Sequence, residues 1–228
     1  MRSTGRTTGS RTRGNRRLRP RGRRARRLGD TAIAAVTVVA LASGVWLLGG
    51  RSHTPPQPTA AEGRPDPGEE RLSAPSLPPS PPLRIRIPAI RVNAPLMGLA
   101  LTPSGSLDVP PARNKNLAGW YEAGTMPGET GTAVVAGHVD NTEGPAVFYD
   151  LGALKRGARI EVDRRDGTVA VFTVDAVEVY AASNFPDQKV YGAAHRPELR
   201  VITCGGGYSK TTGYQGNVVV FAHLTGSR

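Results

Sequence analysis

Residues 199–207 read LRVITCGGG, a short run in which apolar and β-branched residues dominate, closed by the chain's one cysteine, Cys204, and three glycines. The run has the length and composition of a β-strand, and glycine is the residue that most readily ends one. Similar runs lie on both sides of it: LRIRIP at 83–88, TAVVAGH at 132–138, ARIEVD at 158–163, VAVFTVDAVEVY at 169–180 and NVVVFAHL at 217–224. Turn signals such as Asp166-Gly167 divide them. No long amphipathic helix is visible in this part of the chain. Residues 83–228 are therefore expected to form an all-β domain, large enough for one closed or nearly closed barrel.

Upstream the texture changes. Residues 51–82 hold 10 of the 20 prolines and few large apolar groups, which predicts a semi-extended extracellular linker. Before it, residues 31–50 contain TAIAAVTVVALASGVWLLG, 19 residues without a charge from Thr31 to Gly49. As a helix this run would be about 28 Å long, close to one bilayer core. Residues 1–30 form a basic tail, with 12 arginines and no acidic residue in the first 28. The positive-inside rule then places the tail in the cytoplasm and the domain outside the cell, with a single-pass signal anchor in the cell membrane and Trp46 near the outer interface. A cleaved signal peptide is the competing expectation. The apolar run is long for one, and no clean A-x-A site follows it. The pairs Arg23-Arg24 and Arg26-Arg27 also allow a poor twin-arginine signal.

The same tail explains the charge. The chain carries 30 basic and 18 acidic residues, a net charge of +12, and the tail's 12 arginines account for all of it. A domain that grips phosphates needs its basic patch on the folded part, so nucleic-acid binding is not expected. The tail itself reads as an orientation signal that also meets anionic lipid. One cysteine excludes an internal disulfide and any zinc site built from several thiolates.

A free thiol outside the cell invites oxidation, so Cys204 calls for a reason. As a nucleophile it would need a base nearby. Of the four histidines, His53 lies in the linker, His195 in a polar loop and His223 on the last strand. His138 ends TAVVAGH and is followed by Val139-Asp140, so like Cys204 it stands where a strand gives way to a loop. Either residue taken alone is more often structural; together they propose a pair.

In order along the chain, AGWY (118–121), TAVVAGHVD (132–140), GPAVFYDLGAL (144–154), TCGG (203–206) and NVVVFA (217–222) resemble the sortases, most closely the class F sortases of actinobacteria. The resemblance spans nearly all of Leu83 to Leu224. It implies an eight-stranded sortase-type β-barrel preceded by one transmembrane helix, with Cys204 as nucleophile and His138 as acid/base partner. It also implies the reaction: cleavage of an LPXTG-like sorting signal near the C-terminus of a secreted protein, a thioacyl intermediate, and transfer to an amine of the cell wall or its precursor. No cofactor and no metal are expected.

One feature departs from the family. Sortases carry an arginine on the strand after the cysteine, expected in a context like Tyr-Arg-Asp-Asn; here the residues are Tyr214-Gln215-Gly216-Asn217. Gln215 offers an amide without charge, Lys210 is the only cation between Arg200 and Arg228, and Arg113 is more distant in sequence. Losing one oxyanion donor commonly costs about a hundredfold to a thousandfold in rate. That makes a weak or inactive homologue acting as a surface binding module an alternative, beside a hydrolytic cysteine peptidase. An L,D-transpeptidase is disfavoured, because those enzymes place histidine and cysteine in one motif and here they lie 66 positions apart. Asp140, Glu143 and Asp150 match no calcium loop and read as solvated carboxylates. Trp120, Tyr121, Phe148 and Tyr149 are expected in the core.

Overall fold

The structure is a computed structural model that describes residues 54–60 and 73–228. The arginine tail and the apolar run at 31–49 lie outside the described residues; among those described, no helix is long and apolar enough to cross a membrane.

Among the described residues ten strands form: β1 (Pro82–Ile87), β2 (Val92–Leu99), β3 (Ala118–Tyr121), β4 (Gly131–Gly137), β5 (Asp140–Asn141), β6 (Gly144–Pro145), β7 (Arg159–Arg164), β8 (Val169–Ala181), β9 (Pro197–Ser209) and β10 (Gly213–Ser227). Eight of them close a barrel in the order β1-β2-β3-β4-β9-β10-β8-β7, and β5 and β6 make a separate two-residue hairpin. The pairing of β1 with β7 completes the closure. Most neighbours are antiparallel; β2 with β3 and β4 with β9 run parallel. A short α-helix, α1 (Asp187–Tyr191), lies between β8 and β9.

Burial explains why several strand sequences are nearly continuous runs of apolar residues. Along β10, Val218, Val220, Ala222 and Leu224 fill the barrel with Val135, Leu199, Val201, Phe172 and Phe148. The alternate residues Val219 and Phe221 face outward and are also buried, against Val134, Ala176, Ile202 and Val190 of α1. A strand covered on both faces loses the polar half of its alternation. Arg200 shares that outer face, its guanidinium 4.6 Å from the centre of the Phe221 ring.

Two barrel strands were not visible as runs. Pro95 interrupts β2 and cannot donate a ladder hydrogen bond, so the segment reads as turn or edge. It is accommodated opposite Arg84 of β1, immediately before β2 begins to pair with β3 at Leu96. The four-residue β3 is two small residues followed by two aromatics.

The described end of the proline-rich stretch is laid along the barrel. Ala74 N–H donates to Leu224 O and Leu77 N–H to Gly128 O, each at 2.8 Å. Arg164, almost fully buried, donates from Nη2 to Pro78 O, and Ser80 Oγ accepts from Asp166 N–H.

Candidate active site

β4 and β9 run side by side and parallel, in register from Gly131↔Pro197 to Ala136↔Ile202. Thr203 Oγ1 donates to Gly137 O at 2.8 Å, extending the alignment one step further. His138 and Cys204 are the next residues on each strand. Neighbouring strands lie about 4.8 Å apart, so the cysteine and the histidine, 66 positions apart in sequence, leave the barrel at the same end on adjacent strands.

His138 is fixed from two directions. Its Nε2 lies 2.6 Å from Pro110 O, and a carbonyl can only accept, so this nitrogen carries a proton and Nδ1 is left for proton exchange. Its backbone carbonyl accepts from Phe148 N–H at 3.0 Å, which brings the 144–154 segment under the histidine. Gly137 makes room for that packing, because a Cβ there would fall 2.7 Å from both Val147 and Phe148.

Cys204 is the only cysteine and is exposed. Its glycines serve the backbone as well as access. Gly206 and Gly207 have φ of 75° and 94°, a region that other residues rarely adopt, and a Cβ on Gly205 would meet Val218 at 2.6 Å. The surrounding protein pushes the thiol above its ordinary value, first by desolvation and then by the negative charge of Asp140. A raised thiol holds little thiolate at neutral pH, so nucleophilic use of Cys204 there requires a base.

Asp140, expected as a solvated carboxylate, is half-buried and accepts a hydrogen bond from Tyr214 Oη at 2.5 Å. Glu143 is exposed and pairs with Lys115 at 3.1 Å. Trp120 and Phe148 lie in the core as expected, whereas Tyr121 packs on the outer apolar cluster. Tyr149 is only half-buried, and burial, then Asp150 and Asp140, raise its hydroxyl. Gln215 sits exposed at the β-bulge between Tyr214 and Gly216, beside Gly207. Among the described residues, no cluster of histidine, cysteine, aspartate and glutamate is arranged to hold a metal.

A second acid–histidine pair lies elsewhere. His223 Nδ1 is 2.5 Å from Asp175 Oδ1 and the histidine is buried. On β10, Asn217 is the residue opposite Cys204 and His223 follows six residues later, about 20 Å along the strand. That distance removes it from the chemistry of Cys204.

Residues 54–60 also reach the site. Gln57 Oε1 accepts from Gly206 N–H at 3.4 Å, and the Pro56 carbonyl occupies the space beside Gly152 where a Cβ would come within 2.0 Å of it. Gly152→Ala is therefore expected to expel Pro56 and free the Gly206 amide. Hydrogen exchange at residues 205–207, followed by mass spectrometry, should become faster; a rate equal to that of the parent would show that Pro56 does not depend on this gap.

The model of the sortase domain family matches residues 85–225. No curated protein matches the chain. Among solved structures, sortase A of Listeria monocytogenes is 17% identical with a TM-score of 0.48, the match covering 66% of this chain and 90% of that one. For the SrtA sortase of Actinomyces oris the values are 20%, 0.49, 68% and 88%. For the sortase D5 transpeptidase of Clostridium perfringens they are 21%, 0.47, 64% and 79%.

Proposed function

This chain belongs to the sortase domain family, and from that premise we propose that it is a cysteine transpeptidase in which Cys204 is the nucleophile and His138 the acid/base. The observation that carries the reading is the parallel register of β4 and β9, which delivers the only cysteine and a histidine with a fixed tautomer to one end of the barrel. In the reaction, His138 Nδ1 takes the proton of the Cys204 thiol as the sulfur attacks a peptide carbonyl, and then gives that proton to the departing amine. The incoming amine then attacks the thioester, and His138 takes up the amine's proton and passes it to the departing sulfur, which restores the thiol.

The substrate class we propose is a secreted protein bearing an LPXTG-like sorting signal, and the acceptor an amine of the cell wall or its precursor. The subfamily we propose is class F, from GPAVFYDLGAL and TCGG. The location we propose is the outer face of the cell membrane, held by the apolar run at 31–49 with its arginines inside. Incubating the protein with an LPXTG-type peptide, with and without an amine nucleophile, tests the reading by product mass. Amine-dependent ligation supports transfer; cleavage alone indicates a hydrolytic peptidase, and an unchanged peptide counts against both.

A weaker or inactive sortase is the second reading, and the electrostatics of Cys204 favour it: the charged neighbour that shifts the thiol is the carboxylate of Asp140 rather than a cation. Gln215→Arg adds a cation at the bulge beside Gly207. Turnover is expected to rise about tenfold or more, since a charged donor stabilises an oxyanion better than an amide does. An unchanged or lower rate in a steady-state peptide assay would show that position 215 does not serve the oxyanion.

A further inference from the structure

The hydrogen bond from Tyr214 to Asp140 adds a side-chain link, beyond the pairing of β4 with β9, between the two parts of the chain that carry the chemistry. Asp140 lies two residues past His138, in the β5–β6 hairpin, where it pairs with Pro145. The hairpin is braced on its other side by Asn141 Nδ2, which donates to Ala112 O at 2.8 Å, close to the Pro110 carbonyl that holds His138. Tyr214 stands on β10, opposite Tyr208 of β9, and two residues further on Gly216 pairs with Gly205, next to Cys204. The Tyr208 ring meets the Tyr214 ring edge-on, 5.1 Å between centres, which restricts the direction of the hydroxyl.

We propose that Asp140 and Tyr214 are a positioning pair for the reaction. The Tyr214 hydroxyl ties the strand end bearing His138 to the hairpin bearing Cys204, and the carboxylate it holds keeps a negative charge beside the sulfur. The inference rests on the roles given above to Cys204 and His138. The ionisable groups that face the pair are Cys204 and Tyr149, with Tyr208 against the Tyr214 ring. The Tyr214 hydroxyl is itself raised, by burial first and then by its bond to Asp140, so it stays a neutral donor across the working pH range. The Cys204 thiol is raised by burial and by Asp140. A carboxylate in this place trades resting thiolate for protection: oxidants attack the thiolate form, and a domain outside the membrane meets them.

Two conservative variants of the full chain separate charge from tie. Asp140→Asn keeps an oxygen to accept from Tyr214 and removes the charge. Tyr214→Phe keeps the charge and removes the tie. Iodoacetamide alkylation of Cys204 as a function of pH, read by intact mass, is expected to shift to lower pH in Asp140→Asn, with the rate at pH 7.5 about threefold to tenfold higher. In Tyr214→Phe the alkylation midpoint should not fall, while kcat/KM for peptide cleavage drops about tenfold with the melting temperature little changed. If Asp140→Asn alkylates with the parent's pH profile, the charge does not act on the sulfur; if Tyr214→Phe cleaves as fast as the parent, the tie positions nothing. Either result overturns the proposal. Should Asp140→Asn melt early, Asp140→Glu, which keeps the charge, must retain the parent's midpoint. Alkylation needs no sorting peptide. A parent protein that cleaves no peptide would sink the transpeptidase reading, while the alkylation midpoints would still decide whether Asp140 acts on Cys204.

Discussion

Cys204→Ala is expected to bring peptide cleavage to background, a loss of about ten-thousandfold or more, as when other covalent nucleophiles are removed. No other thiol can substitute, because Cys204 is the only cysteine in the chain. The change should leave the fold intact. Cys204 is exposed, its strand is held by pairing to both β4 and β10, and alanine keeps the Cβ. The melting temperature should therefore stay within a few degrees of the parent, since surface substitutions away from special features usually alter stability by less than about 0.5 kcal/mol. Both quantities belong in one experiment: peptide cleavage by chromatography and a thermal melt of the same preparation. Parent-like cleavage by the alanine variant would remove the enzyme reading and leave a surface binding module as the explanation of the domain.

Much of the barrel was legible because its strands are rich in β-branched residues and are cut by glycine. LRIRIP, ARIEVD and VAVFTVDAVEVY mark β1, β7 and β8 within a few residues. The expected run at 199–204 is the first half of a longer strand, since β9 continues through the three glycines to Ser209 and pairs with β10 nearly to its end. Glycine alone does not end a strand when its neighbour supplies the hydrogen bonds. Pro95 hid β2 for the opposite reason: local propensity argued against a strand, and closure of the barrel overrode it. At the site, the sequence marks Cys204 and His138 because each closes a run of β-branched and small apolar residues, although β9 itself runs on past Cys204. Asp140 lay in plain view and its partner did not, for Tyr214 is 74 residues away and reaches it only because β4, β9 and β10 are adjacent in the closed sheet. The contact of Gln57 with Gly206 spans 149 residues and was invisible for the same reason.

His138→Gln is the second large effect expected, a fall in peptide cleavage of about a hundredfold to ten-thousandfold, the range typical of general acid–base groups. Burial and Asp140 push the Cys204 thiol up, so at neutral pH the sulfur is mostly protonated and a base must take its proton as it attacks. The hydrogen bond to Pro110 O occupies Nε2 of His138, and Nδ1 is left to do this. Glutamine can still donate to that carbonyl, so the loop should keep its place while the titrating nitrogen is lost. The sign of the pH effect then distinguishes two roles. Raising the pH above the thiol's elevated value forms thiolate without help, so alkylation of Cys204 in His138→Gln should recover toward the parent rate in alkaline buffer. Cleavage should not recover with it, because the departing amine still needs a proton and high pH makes proton donors scarcer. Recovery of both would mean that His138 serves only to deprotonate the thiol. Recovery of neither would mean that the substitution had displaced Cys204, and a thermal melt together with hydrogen exchange across 203–207 would locate the damage.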